Sequence, residues 1–135
     1  QRKTTRDQAH GSPGNILDLY DATDIPVTEG NEITRFKFAS SAANVTGKKY
    51  ASCEAATWLG EHFSSTLSDV KKAVDLFFLG GINHLFYHGT CFSPQNEPWP
   101  GFLFYAAVEF THVNSFWNDF PALNKYNARI QSFMQ

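Results

Sequence analysis

Lys49-Tyr50-Ala51-Ser52-Cys53-Glu54, then a helical stretch carrying Val70, Val74, Phe77 and Phe78 and closed by Gly80-Gly81, then Ile82-Asn83-His84-Leu85-Phe86-Tyr87-His88: this part of the chain decides the fold. A short extended run leads into a helix and returns as a second extended run. Thr66 or Ser68 supplies the cap, and the four apolar residues recur at helical spacing, so they line one face. The paired glycines end that helix. A strand that returns through a helix to a second strand implies parallel pairing by a right-handed crossover.

The same unit extends outward in both directions. Upstream, Lys3 to His10 is an extended run closed by Gly11-Ser12-Pro13-Gly14, and Asn15 caps a short helix through Ala22, with Ile16, Leu19 and Tyr20 at helical spacing. Asp24 to Glu29 is a second run; Pro26 within it has no N–H for a ladder and argues against a regular strand. Arg35 to Asn44 reads as a helix stopped near Gly47. Downstream, Gly89 to Gly101 is a long loop punctuated by Pro94, Pro98 and Pro100, and Phe102 to Phe110 is ambiguous. Asn114 or Ser115 then opens a final helix carrying Phe116, Phe120, Leu123, Tyr126 and Ile130.

Repeated strand and helix makes an α/β fold, and two architectures compete for it. A doubly wound sheet advertises its ligand site by glycine-rich turns opening helices, and neither GxGxxG nor a P-loop pattern is present. In a (β/α)8 TIM barrel the reactive residues sit instead at the C-terminal ends of several strands. His10, Glu29, Glu54 and His88 fall there. Four units make half a barrel, so the expectation is a partial barrel of about four C-terminal βα units. The chain begins without Met and ends inside a helical pattern, so the expectation is that residues 1–135 are a fragment of one longer domain.

Composition excludes several classes of function. A net charge of −2 over 135 residues gives no polyanion-binding surface. Cys53 and Cys91 are too few for a disulfide framework and lack zinc-site spacing. No apolar stretch approaches the roughly 20 residues that span a bilayer. The thirteen Phe, five Tyr and three Trp stand out, because aromatic faces build cores and also stack on sugars.

Each polar residue at a strand end has two readings. Glu54, after small residues and just before Trp58, is either a general acid or base tuned by partial desolvation or a helix N-terminal acid complementing the dipole. Glu29, with Asp24 or Glu32, offers hard oxygen ligands to calcium, or is a solvated loop acid. Alternation along the fourth run puts His84, Phe86 and His88 on one face. His10-Gly11 and His88-Gly89 are either sugar-hydroxyl binders or structural hydrogen-bonding residues; no HExxH or cysteine pattern makes them zinc ligands. Trp99 stacks on a sugar face or anchors its proline-rich loop. Gly11-Ser12-Pro13 is not a nucleophile elbow.

The segments Gln8-Ala9-His10-Gly11-Ser12-Pro13, Ala51-Ser52-Cys53-Glu54 with Thr57-Trp58 and Glu61-His62-Phe63, and Gly81-Ile82-Asn83-His84 through His88-Gly89-Thr90 resemble family 106 glycoside hydrolases. Ser93-Pro94, Trp99-Pro100-Gly101 and Phe104-Tyr105-Ala106 continue the likeness in order through nearly the whole chain. The resemblance implies a large, mostly bacterial, secreted or periplasmic enzyme of carbohydrate metabolism that removes terminal α-L-rhamnose from plant glycans and glycosides, with inversion and with calcium as cofactor. It implies Glu54 as the general base and an upstream general acid. Glu29 is then a ligand of calcium or of rhamnose hydroxyls, and His10, His84, His88 and Trp99 are substrate-binding. Val27 departs from the acidic residue expected in the Pro26 to Glu29 segment. The competing expectations are a barrel fragment that binds carbohydrate without cleaving it and a glycosidase of other sugar specificity. Partners implied are a rhamnosylated carbohydrate and the remainder of the parent barrel, with no nucleic acid and no membrane.

Overall fold

The computed structural model describes residues 3–134 and contains four βα units. Strand β1 is Arg6–Gln8, β2 Ile25–Thr28, β3 Ser52–Ala55 and β4 His84–Tyr87. Helix α1 is Ile16–Asp21, α2 Ile33–Thr46, α3 Leu67–Leu79 and α4 Phe120–Phe133. The strands lie in the order β1-β2-β3-β4 and every pair is parallel.

Local chemistry sets the helix ends. The Asn15 side chain accepts from the Leu17 N–H at 3.1 Å and opens α1. Thr66 and Asp69 form a reciprocal capping box at α3, each side chain accepting from the other's backbone N–H. Helix α2 stops at Gly47, whose φ of 69° is the left-handed conformation that lets its N–H reach back to the Ala43 and Asn44 carbonyls.

The final helix begins later than the sequence suggests. Asn114 spends its amide on the Glu109 carbonyl, 2.8 Å away, and 111–119 fold as turns. Asp119 is the N-cap and Pro121 sits in the first turn of α4, where its missing N–H costs nothing. Pro26, read as unfavourable to a strand, lies inside β2 in register with Asp7 of β1. Pairing to β3 starts beyond it, at Val27↔Ser52 and Thr28↔Cys53, so the absent N–H removes no rung there.

Helix α1 packs on α2, α2 on α3 and α3 on α4. All lie on one face of the sheet: Ala9, Ala51, Cys53 and Ala55 share a buried cluster with Tyr20, Phe36, Ala39 and Phe77. A second cluster joins Val70, Val74 and Phe78 to Phe120 and Leu123, with Leu85 and Tyr87 of β4 packed against both clusters. Phe36 and Phe77 stack with ring centroids 4.2 Å apart, and burying each contributes about 1.5–3 kcal/mol. Their approach requires Gly80: a Cβ there would stand 2.7 Å from the Phe36 Cβ.

Period-two alternation and the strand register put Arg6, Gln8, His10, Val27, Glu29, Ser52, Glu54, His84, Phe86 and His88 on the opposite face. No helix covers that face among the described residues, and Phe86 on its edge strand is 41% exposed. A doubly wound sheet would carry helices on both faces. Sequential strands with every helix on one side are consistent with part of a barrel, whose inner face would be this one.

Candidate functional site at the strand ends

Two acid and histidine pairs stand at the C-terminal ends of the strands on the helix-free face. Past β1 and β2, the His10 Nε2 lies 3.1 Å from the Glu29 Oε1. At the end of β3 and just past β4, the His88 Nδ1 lies 3.6 Å from the Glu54 Oε2 and 2.9 Å from the Thr57 Oγ1. The side chains of Glu54 and His88 are 26% and 29% exposed, so they are reachable but partly withdrawn from water. The four residues come from four successive strand ends that the parallel sheet brings side by side.

Glu54 is the third residue of β3, and α3 begins only at Leu67. It is therefore no helix N-terminal acid. Trp58, the neighbour invoked to desolvate it, donates its indole N–H to the Ser65 Oγ and packs against the second core cluster.

Arg6 was missed by the sequence reading. Its Nε donates to the Ser52 Oγ at 3.1 Å, its Nη2 to the Cys53 carbonyl at 3.3 Å, and its guanidinium lies 3.9 Å from the Phe86 ring centroid. The side chain thus lies across the helix-free face, one fixed positive charge on the same surface as Glu54. Period-two alternation from His10 back through Gln8 to Arg6 was the available signal. His84 sits between Tyr50, 4.9 Å, and Phe86, 4.8 Å. Burial, and secondarily the Arg6 cation, pushes the His84 imidazole below its ordinary range. Its Nδ1 and that of His10 are buried without a hydrogen-bond partner among the described residues.

Other sequence expectations separate in space. Asp24 lies before β2 and accepts from the Thr5 N–H and hydroxyl, whereas Glu29 follows the strand. The strand's length holds the two carboxylates apart, so they form no joint ligand set. Among the described residues no group of three or more His, Cys, Asp or Glu is arranged to hold a metal. Trp99 stacks on Phe63 at 6.0 Å and lines a cleft of about 610 Å³ with Phe92, Glu97, His112 and Trp117; neither acid and histidine pair lines it. Cys53 is buried, which drives its thiol well above the ordinary range, and Cys91 donates to the Leu103 carbonyl; both are free.

Glu109 was also missed. It lies in the segment 102–110 that showed neither period, and it is 1% exposed. Its Oε1 accepts from the His62 Nδ1 at 2.8 Å and the Phe104 N–H at 3.0 Å. Nothing in a segment without periodicity marks a buried acid.

Comparison with known proteins agrees with this architecture. Among solved structures, a rhamnosidase from Novosphingobium sp. PP1Y superposes with a TM-score of 0.70 at 21% identity, over 87% of this chain. The chain spans 12% of that protein's length. Comparison with curated proteins finds no match. No helix among the described residues is long and apolar enough to cross a membrane. The family model described as alpha-L-rhamnosidase, Glyco_hydro_106, matches residues 18–135, and the chain belongs to that glycoside hydrolase family.

Proposed function

We propose that this chain is the C-terminal part of the catalytic barrel of an inverting α-L-rhamnosidase, acting on terminal rhamnose of plant glycans or glycosides, and that Glu54 is its general base. The observation that carries the reading is the placement of Glu54 and His88 side by side at the ends of β3 and β4, on the face where His10 and Glu29 also meet.

Inversion takes one step. Glu54 removes a proton from water as the water oxygen attacks the anomeric carbon; the bond to the leaving oxygen breaks, and a second carboxylic acid protonates that oxygen. The two carboxyl groups must stand roughly 6.5–9.5 Å apart to admit the water. The second one is supplied from outside residues 1–135 in this account. With one carboxylate oxygen toward His88 and Thr57 fixing the imidazole, Glu54 keeps its other oxygen for the water. His84 and His88 offer ring nitrogens to sugar hydroxyls, His10 orients Glu29, and Trp99, in its separate cleft, offers a stacking face to a more distant part of the glycan.

Calcium enters as a shared ligand set. It takes six to eight oxygen ligands, and this chain offers Glu29 at the strand ends besides the Glu54 assigned to the water, so the remaining ligands come from the rest of the barrel. A bound calcium would hold and orient the sugar's hydroxyls. The family's exported, bacterial setting belongs to the same proposal.

The full-length protein carrying this chain, assayed on aryl glycosides, is expected to release aglycone from the α-L-rhamnoside and initially give rhamnose of inverted configuration by NMR. Turnover of a galactoside or glucuronide in its place, or binding without hydrolysis, overturns the reading.

A further inference from the structure

Glu109 is the buried charged group that this mechanism leaves unused. Taking a carboxylate out of water costs several kcal/mol unless hydrogen bonds compensate, and removing its partners leaves the cost unmet. Here one oxygen, Oε1, gathers two donors from different loops: His62, which follows β3, and the backbone of Phe104, which follows β4. The carboxylate therefore joins the two loops that flank Glu54 and His88. Two further contacts run parallel to it: the Ala107 N–H donates to the Trp58 carbonyl at 2.8 Å, and Phe63 stacks on Trp99.

The junction reaches the site through Phe104. Its ring meets the His88 imidazole edge to face at 4.7 Å and lies against Gly89, where an added Cβ would come within 3.3 Å of it. His88 in turn faces Thr57 and Glu54. A continuous set of contacts thus leads from Glu109 through Phe104 and His88 to Glu54.

We propose that Glu109 is a positioning residue of the hydrolase: by holding the Phe104 backbone it seats the Phe104 ring and fixes the His88 imidazole against Glu54. The proposal rests on the reading of Glu54 as base for its kinetic part only. Misplacing a catalytic group by about 1 Å costs on the order of 10²-fold in rate. Glu109→Ala is accordingly expected to lower kcat about 100-fold with little change in KM. Glu109→Gln keeps an oxygen for the Phe104 N–H and is expected to recover most of that loss. Phe104→Ala removes the next member of the same set, so the double variant is expected to be no worse than the poorer single one.

The test combines steady-state kinetics of these variants in the full-length protein with hydrogen exchange of peptides covering residues 88–106. Faster exchange there in Glu109→Ala, and near wild-type exchange in Glu109→Gln, is the expected result. Unchanged exchange in Glu109→Ala overturns the proposal, as do multiplying effects of Glu109→Ala and Phe104→Ala or a loss confined to KM. If the wild type hydrolyses no rhamnoside, the functional reading falls and exchange alone decides whether Glu109 holds the loop. If Glu109→Ala does not fold, Glu109→Gln and Phe104→Ala decide: wild-type kcat in Phe104→Ala overturns it.

Discussion

The Glu54 carboxylate and the His88 imidazole face each other at 3.6 Å across the ends of two neighbouring parallel strands. Neither residue brings the other; the register does. Glu54 pairs with Phe86 in the ladder, and two residues further His88 projects on the same face. Thr57, on the loop leaving β3, bonds the same ring nitrogen and limits how the imidazole can turn. One carboxylate is thereby presented at the mouth of a sheet whose other face is filled by helices.

Glu29 and His10 form the comparable pair past β1 and β2. If Glu29 contributes to a calcium site, His10 is its outer partner, and losing such a partner weakens metal binding about 10–100-fold. Chelation is expected to abolish rhamnoside hydrolysis by the full-length protein and added calcium to restore it. His10→Ala is expected to raise the calcium concentration required by a similar factor. Calcium titration of activity measures both, and indifference to the chelator contradicts the metal proposal.

His84 links the site to stability. Its folded-state pKa lies below the ordinary 6.5 because of burial among Tyr50 and Phe86 and because of the Arg6 cation. The folded protein therefore binds that proton less readily than the unfolded chain. Stability from this group is present above about pH 6.5 and is lost as pH falls through the lowered value. Thermal unfolding between about pH 7.5 and about pH 5.5 is expected to show a smaller loss of Tm in His84→Gln than in the wild type. An equal or larger loss in the variant would show that His84 does not contribute.

Gly80 separates space from backbone strain. Its φ is −75°, so alanine is conformationally acceptable, but the added methyl meets the Phe36 Cβ at 2.7 Å. Overpacking of this kind costs about 1–3 kcal/mol. Gly47 is the converse, with a φ of +69° and open space around it. Denaturant unfolding of both alanine variants is expected to destabilise each. The contact at Gly80 is with the Phe36 Cβ, which a smaller side chain there keeps, so Phe36→Leu is expected to leave most of the Gly80→Ala loss in place; an alanine at 80 as stable as the glycine would contradict the clash.

The four units, their parallel pairing and the apolar stripe of Val70, Val74, Phe77 and Phe78 were legible in sequence, whereas α2 carries no clean stripe to mark Phe36 and Ala39 as core and Leu19, set on the α1 stripe, is exposed. Pro26 misled because the rule about missing N–H groups applies to rungs, and β2 bonds to β3 only beyond it. The start of α4 was misplaced by two capping-type residues, Asn114 and Ser115, when Pro121 carried the better signal. At the site, the strand-end residues could be named, but their pairing depends on register between separate strands, which no local pattern encodes. Glu109 is the extreme case: its partners His62 and Phe104 come from two different loops, and only the folded chain brings them to one oxygen.

Glu54→Gln, made in the full-length protein, tests the central claim most directly because it removes the proton acceptor and keeps the shape. Turnover of an aryl α-L-rhamnoside is expected to fall by roughly 10²–10⁴-fold, the usual worth of a positioned acid or base, while rhamnose still binds with near wild-type affinity. Turnover close to wild type would contradict the account and remove Glu54 from the chemistry.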